Sequence, residues 1–82
     1  MNIHGVVTDP SGQPVPGAVV MVAAAPVPVP DIAALTDAEG SFSIVVPASG
    51  AYRLLVRGAI DLVEILVVVH ESSVEVSAEL TG

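Results

Sequence analysis

His70, Glu71, Ser72 and Ser73 stand side by side, so a base, an acid and hydroxyl nucleophiles are adjacent. Adjacency works against chemistry here: neighbours on a tight turn diverge, and a nucleophile needs its base within hydrogen-bond reach. The stretch reads as a hairpin turn. His4 lies far from His70 in the sequence, a poor start for a shared metal site. Asp31, Asp37 and Glu39 could touch Ca²⁺ together, but that ion takes roughly six to eight oxygens and these carboxylates are loosely spaced. With no cysteine, disulfides, thiolate ligands and thiol nucleophiles are all removed. The expectation is a chain without catalytic residues, metal ligands or a cofactor.

Charge and hydropathy exclude further classes. Two arginines, Arg53 and Arg57, face nine acidic residues, and the formal net charge is −7. Two cations cannot neutralise a phosphate backbone, so nucleic acid is not an expected partner. The acids are scattered singly, as suits solubility and turn chemistry. No apolar run approaches the roughly 18 residues of a membrane helix. The longest, LVEILVVV at 62–69, is short and carries Glu64, so no membrane insertion is expected. MNIHGVVTDPSG has neither a basic n-region nor an apolar h-region, and no secretory signal is read in it.

The elements that hold these residues follow a period of two. IHGVVT (3–8) alternates, DPSGQPVPG (9–17) excludes helix, and AVVMVAAA (18–25) is a second strand closed by PVPVP (26–30). DIAALT (31–36) could start a short helix with Asp31 as its cap or form a short third strand; six residues make a marginal helix, which favours the strand. SFSIVVP (41–47), AYRLLVR (51–57), LVEILVVVH (62–70) and VEVSAEL (74–80) complete the set, separated by DAEG, ASG, GAID and ESS turns. Seven short strands with regular punctuation predict one all-β domain over 1–82, a mainly antiparallel Greek-key sandwich. Across the GAID loop, pairing Arg57 with Leu62 puts Leu55 opposite Glu64 and Arg53 opposite Leu66. Tyr52, Leu54 and Val56 then meet Val67, Ile65 and Val63 on the inner face. Both arginines become diagonal to Glu64, which predicts an ion-pair cluster on the outer face.

Phe42 and Tyr52 are the only aromatic residues. They sit in a frame that reads T-D-x-x-G-x-F from Thr36, then P-x-x-G-x-Y-x-L from Pro47. Upstream, Ile3 to Val20 reads I-x-G-x-V-x-D-x-x-G-x-P-x-x-G-A-x-V. The combination resembles the carboxypeptidase regulatory-like family, whose fold is a prealbumin-like (transthyretin-like) seven-stranded sandwich. Gly12 and Gly40 then supply positive φ in turns, and Asp9 and Asp37 bond to the turn backbone. Phe42, Tyr52, Leu54, Ile65 and Val67 are expected in the core, with the Tyr52 hydroxyl bonded at the rim.

What the resemblance implies for function is a scaffold: such modules accompany peptidases, transporters, adhesins and secretion machinery without doing chemistry. It also points to a cell-envelope or extracellular setting. Two related architectures carry chemistry. Sandwiches similar to the Cna B-type repeat form a lysine isopeptide bond, and this chain has no lysine. Transthyretin-like hydroxyisourate hydrolases use an N-terminal His, an Arg and a C-terminal Y-R-G-S, whereas this sequence reads SAELTG there. A hydrolase is disfavoured, and a glycan-binding module lacks the exposed aromatic that sugar stacking uses.

One face departs from the usual alternation. With Val63, Ile65, Val67 and Val69 turned inward, the other side of that strand still shows Leu62, Leu66 and Val68; elsewhere Val6, Val19, Met21, Val45 and Leu55 also point outward by parity. A solvated sheet face normally carries polar residues at such positions. Leu55, Leu62, Leu66 and Val68 are therefore the candidate interface, and the expected partner is a protein or a second copy of the chain.

Overall fold

The structure, a computed structural model, describes residues 1–70 and 72–81. Its strands are β1 (Asn2–Thr8), β2 (Val19–Ala24), β3 (Ala33–Leu35), β4 (Ser41–Val45), β5 (Gly50–Arg57), β6 (Leu62–Val69) and β7 (Ser73–Glu79). They form a three-stranded sheet in the order β4-β1-β7 and a four-stranded sheet in the order β3-β2-β5-β6. Every pairing is antiparallel except β1 with β7, which run parallel from Asn2 opposite Ser73 to Thr8 opposite Glu79.

The period-two pattern decides which side chains meet between the sheets. Ile3 and Val7 of β1, Phe42 and Ile44 of β4, and Ala78 of β7 pack against Val20, Tyr52, Leu54, Val56, Val67 and Val69 from the opposite sheet. Parity in β2 is regular from Val19 to Val22 and then slips by one residue before Ala24, a bulge that resets the strand against β5.

Two turns are built alike. Oδ1 of Asp9 accepts hydrogen bonds from the amides of Ser11 and Gln13, and Oδ1 of Asp37 accepts from those of Glu39 and Ser41. Three residues after each aspartate comes a glycine at positive φ, Gly12 at 88° and Gly40 at 74°. Only glycine takes that conformation without steric cost. Thr36, buried just before the second turn, donates its hydroxyl to the Val15 carbonyl at 2.6 Å and accepts from the Ala18 amide at 2.9 Å. The Tyr52 hydroxyl donates to the Ala48 carbonyl at 2.6 Å, which ties its own strand to the preceding turn.

Three expectations are corrected. The segment 31–36 is a strand only over Ala33–Leu35, with single further hydrogen bonds to β2 and its lead-in at Ile32, whose carbonyl accepts from the Val22 amide, and at Thr36, whose amide donates to the Ala18 carbonyl. Ile65 is half-buried, packed against the core rather than enclosed in it, whereas Val67 and Val69 further along the same strand are buried. Arg57 forms no ion pair among the described residues, whereas Arg53 Nε lies 3.7 Å from Glu64 Oε1. The hairpin reading of 70–73 includes Glu71, which lies outside the described residues.

Candidate functional site

The register of the four-stranded sheet assembles its outer face row by row. Leu35, Val19, Arg57 and Leu62 lie across the sheet from edge to edge, and the next row is Ala33, Met21, Leu55 and Glu64. Beyond these, Arg53 sits beside Leu66 and Ala51 beside Val68. The β5–β6 register follows from the short GAID loop and the alternation of both strands, since a slip by one residue would turn the core side chains outward.

The face is apolar, with a few charges set into it. Leu66 is 73% exposed, Leu35 67%, and Leu62 and Val68 each 57%. Leu55, between Met21 and Glu64, is half-buried by its neighbours in the row. The Arg53–Glu64 pair is open to water on both sides and contributes about 0.2–1 kcal/mol. The chain's two arginines both stand on this face.

Asp61 fixes where β6 begins. Its Oδ1 accepts from the Leu62 amide, and its Oδ2 accepts from both the amide and the hydroxyl of Thr81, each at 3.0 Å. The Thr81 amide, then the Thr81 hydroxyl, hold the Asp61 carboxyl below its ordinary range by stabilising the charged form. Nothing in the sequence pairs Asp61 with Thr81; the parallel docking of β7 brings the two together. Asp9 is likewise held low, chiefly by the Ser11 hydroxyl and next by the Gln13 amide.

The residues that could do chemistry do not converge. His4 projects from β1 on the outer side of the three-stranded sheet, between Ser43 and Glu75 in register. The arginines project from the opposite side of the sandwich, so no site joins His4 to Arg53 or Arg57. Asp37 is engaged by its turn, and no group of three His, Asp or Glu side chains among the described residues could hold a metal ion. Among the described residues no helix is long and apolar enough to cross a membrane.

Sequence reasoning placed Gly5 in the family pattern and on the inner side of β1 without the reason for it. A Cβ there would collide with the Phe42 ring, which lies against the bare backbone of β1. A glycine at an inward position of a strand is the signal for such a close approach.

The family model of the carboxypeptidase regulatory-like domain matches residues 2–80. Among curated proteins none matches the sequence. A solved chain with the same fold comes from the crystal structure of a type II Cohesin-X-Dockerin complex of Acetivibrio cellulolyticus, a C-terminal interface mutant. The match has a TM-score of 0.72 at 21% identity and covers 95% of this chain and 52% of that one.

Proposed function

The chain belongs to the carboxypeptidase regulatory-like domain family, and on that footing we propose that it is a non-catalytic module for protein–protein contact or structural spacing. The outer side of the four-stranded sheet is its contact surface. The observation that carries this reading is the run of exposed Leu35, Leu62, Leu66 and Val68 on one face, where a solvated sheet would carry polar side chains. Membership of a complex by the solved chain of like fold agrees with such work, although that likeness concerns the fold alone. The scattered His, Asp and Glu side chains support the non-enzymatic part of the proposal.

Site-specific photocrosslinking tests it. A photoreactive side chain at position 66 should capture a discrete protein, another copy or a different chain, in cells producing the protein. The same group at position 43, on the polar sheet, should capture none. Equal capture at both positions, or none at 66, would sink the reading.

A further inference from the structure

Both cations of a chain of net charge −7 stand on the outer side of the four-stranded sheet, and Glu64 is the sole acid in the four strands of that sheet. A second copy approaching by any other face meets acidic residues with no cation to answer them. Arg57 is exposed and forms no ion pair among the described residues, while Glu64 keeps one loose contact, with Arg53 at 3.7 Å. The face therefore holds a free cation and an acid open to water, set among exposed leucines. These are two halves of one match, and a twofold axis can bring them together twice.

We propose that this face packs on the same face of a second copy, the strands of the two sheets crossing at about 90°, with the twofold axis along the diagonal through Leu55 and Leu62. The proposal rests on the reading of this face as a contact surface and names its occupant. Strands lie about 4.8 Å apart, and outward side chains about 6.8 Å apart along each strand. A half-turn about the diagonal therefore exchanges one strand across for roughly one step along. Glu64, one strand across from Leu55, then lies over Arg57 of the second copy, and Arg57 lies over its Glu64. Leu55 and Leu62 meet their own counterparts on the axis. Met21 covers the stem of Arg53, and Leu35 falls between Leu66 and Val68, so all four exposed apolar side chains of the face are covered.

Other arrangements of the same face leave its charges without new partners. Aligned sheets centred on each other would lay Glu64 over Ala33 and Arg57 over Val19, taking both charges out of water unpaired. The other diagonal, through Leu55 and Leu66, would give Glu64 the Arg53 it already has and set Arg57 on Met21. With four strands and about 20 Å of strand length, the contact buries on the order of 800 Å² over both copies. That lies at the low end for specific interfaces, so the expected dimer is a weak one.

Sedimentation equilibrium of the full chain from roughly 10 µM to 1 mM, in about 0.15 M salt, tests this with Arg57→Glu, Glu64→Arg and an equimolar mixture of the two. The wild type should show a monomer–dimer equilibrium. Each variant alone sets like charges against each other at both sites and should raise the dissociation constant about tenfold or more. The mixture should dimerise to within about threefold of wild type, because each copy then meets the opposite charge at both sites. A change confined to one copy cannot imitate that rescue. Unchanged circular dichroism of the two variants keeps misfolding out of the comparison. A monomer throughout the range, variants that associate as the wild type does, or a mixture no more dimeric than its parts would each overturn the proposal. Capture of a different protein from position 66 by a chain that stays monomeric would leave the contact-surface reading standing while this one falls. Absence of any capture would remove both.

Discussion

Outside the three-stranded sheet, Asn2, His4, Ser41, Ser43, Ser73, Glu75, Ser77 and Glu79 share the outward positions with two apolar side chains, Val6 and Val45, the latter 70% exposed. Outside the four-stranded sheet the same alternation yields Val19, Met21, Leu35, Leu55, Leu62, Leu66 and Val68, with Arg53, Arg57 and Glu64 set among them. Both sheets contribute fully buried side chains to one core, so the mainly polar outer face of the first shows that a largely apolar one is not a condition of folding. On the proposed reading, the apolar residues of the second serve contact rather than stability. β6 states the contrast within one strand: it is apolar on both sides, the pattern of a strand covered twice, yet one side is open.

Inner-face substitutions should treat the two sheets alike, and the first predictions test that half of the comparison. Leu54→Ala, in the four-stranded sheet, should lose about 2–5 kcal/mol in urea unfolding by removing a fully buried side chain. Gly5→Ala, in the three-stranded sheet, should lose about 1–3 kcal/mol by forcing the Phe42 ring from its seat. A shift in the Phe42 ring resonances should accompany it; unchanged resonances would mean that the close approach is not what requires glycine. Thr36→Val, at the junction of the sheets, should lose about 1–3 kcal/mol for each of the two backbone groups it leaves unpaired.

Outer-face changes should then separate stability from association. Leu66→Lys and Ser43→Leu should each stay within about 0.5 kcal/mol of wild type in the same unfolding measurement. Only the first should alter the solution mass read by light scattering across concentrations. A large loss of stability in Leu66→Lys without any change of mass would erase the distinction between the faces.

The smallest effect is with pH. Asp9 and Asp61 have lowered carboxyl pKa values when folded, because hydrogen-bond donors from Ser11 and Gln13, and from Thr81, favour the charged form. The folded chain therefore binds these protons more weakly than the unfolded chain. The stability they contribute is present above the ordinary carboxylate pKa of about 4 and is lost as pH falls through the lowered values. Amide resonances of Thr81 and Gln13 should move together with those transitions in an acid titration by NMR. Asp61→Asn should abolish the movement at Thr81 and leave that at Gln13.

How much of this was legible in the sequence depends on how local the deciding contact is. The β5–β6 register could be written down from the GAID loop and the alternation, and Leu55 faces Glu64 and Arg53 faces Leu66 as that pairing requires. The D-x-x-G turns at Asp9 and Asp37 are equally local, each side chain bonding within four residues of itself. Ile65 could not be graded in the same way, because alternation puts it on the inner face with Val67 and Val69 but does not say that the opposite sheet encloses only those two. The candidate face was legible as an excess of outward apolar positions, but Leu35 joined it only through the β2–β3 pairing. Thr36 and the Asp61–Thr81 contact were invisible for a similar reason: their partners are 18 to 21 residues away in sequence.

The parallel pairing of β1 with β7 has a mechanical consequence. Asn2 lies beside Ser73, and the Leu80 amide donates to the Thr8 carbonyl at 2.8 Å, so the two strands enter the ladder at one end and leave it at the other. Tension applied at Asn2 and at Leu80 pulls the strands past each other along their length. Every hydrogen bond of the ladder is then loaded at once, in shear, instead of being opened in succession from one end. The molecule would carry a pulling force as a lap joint does, with its strength set by the whole overlap.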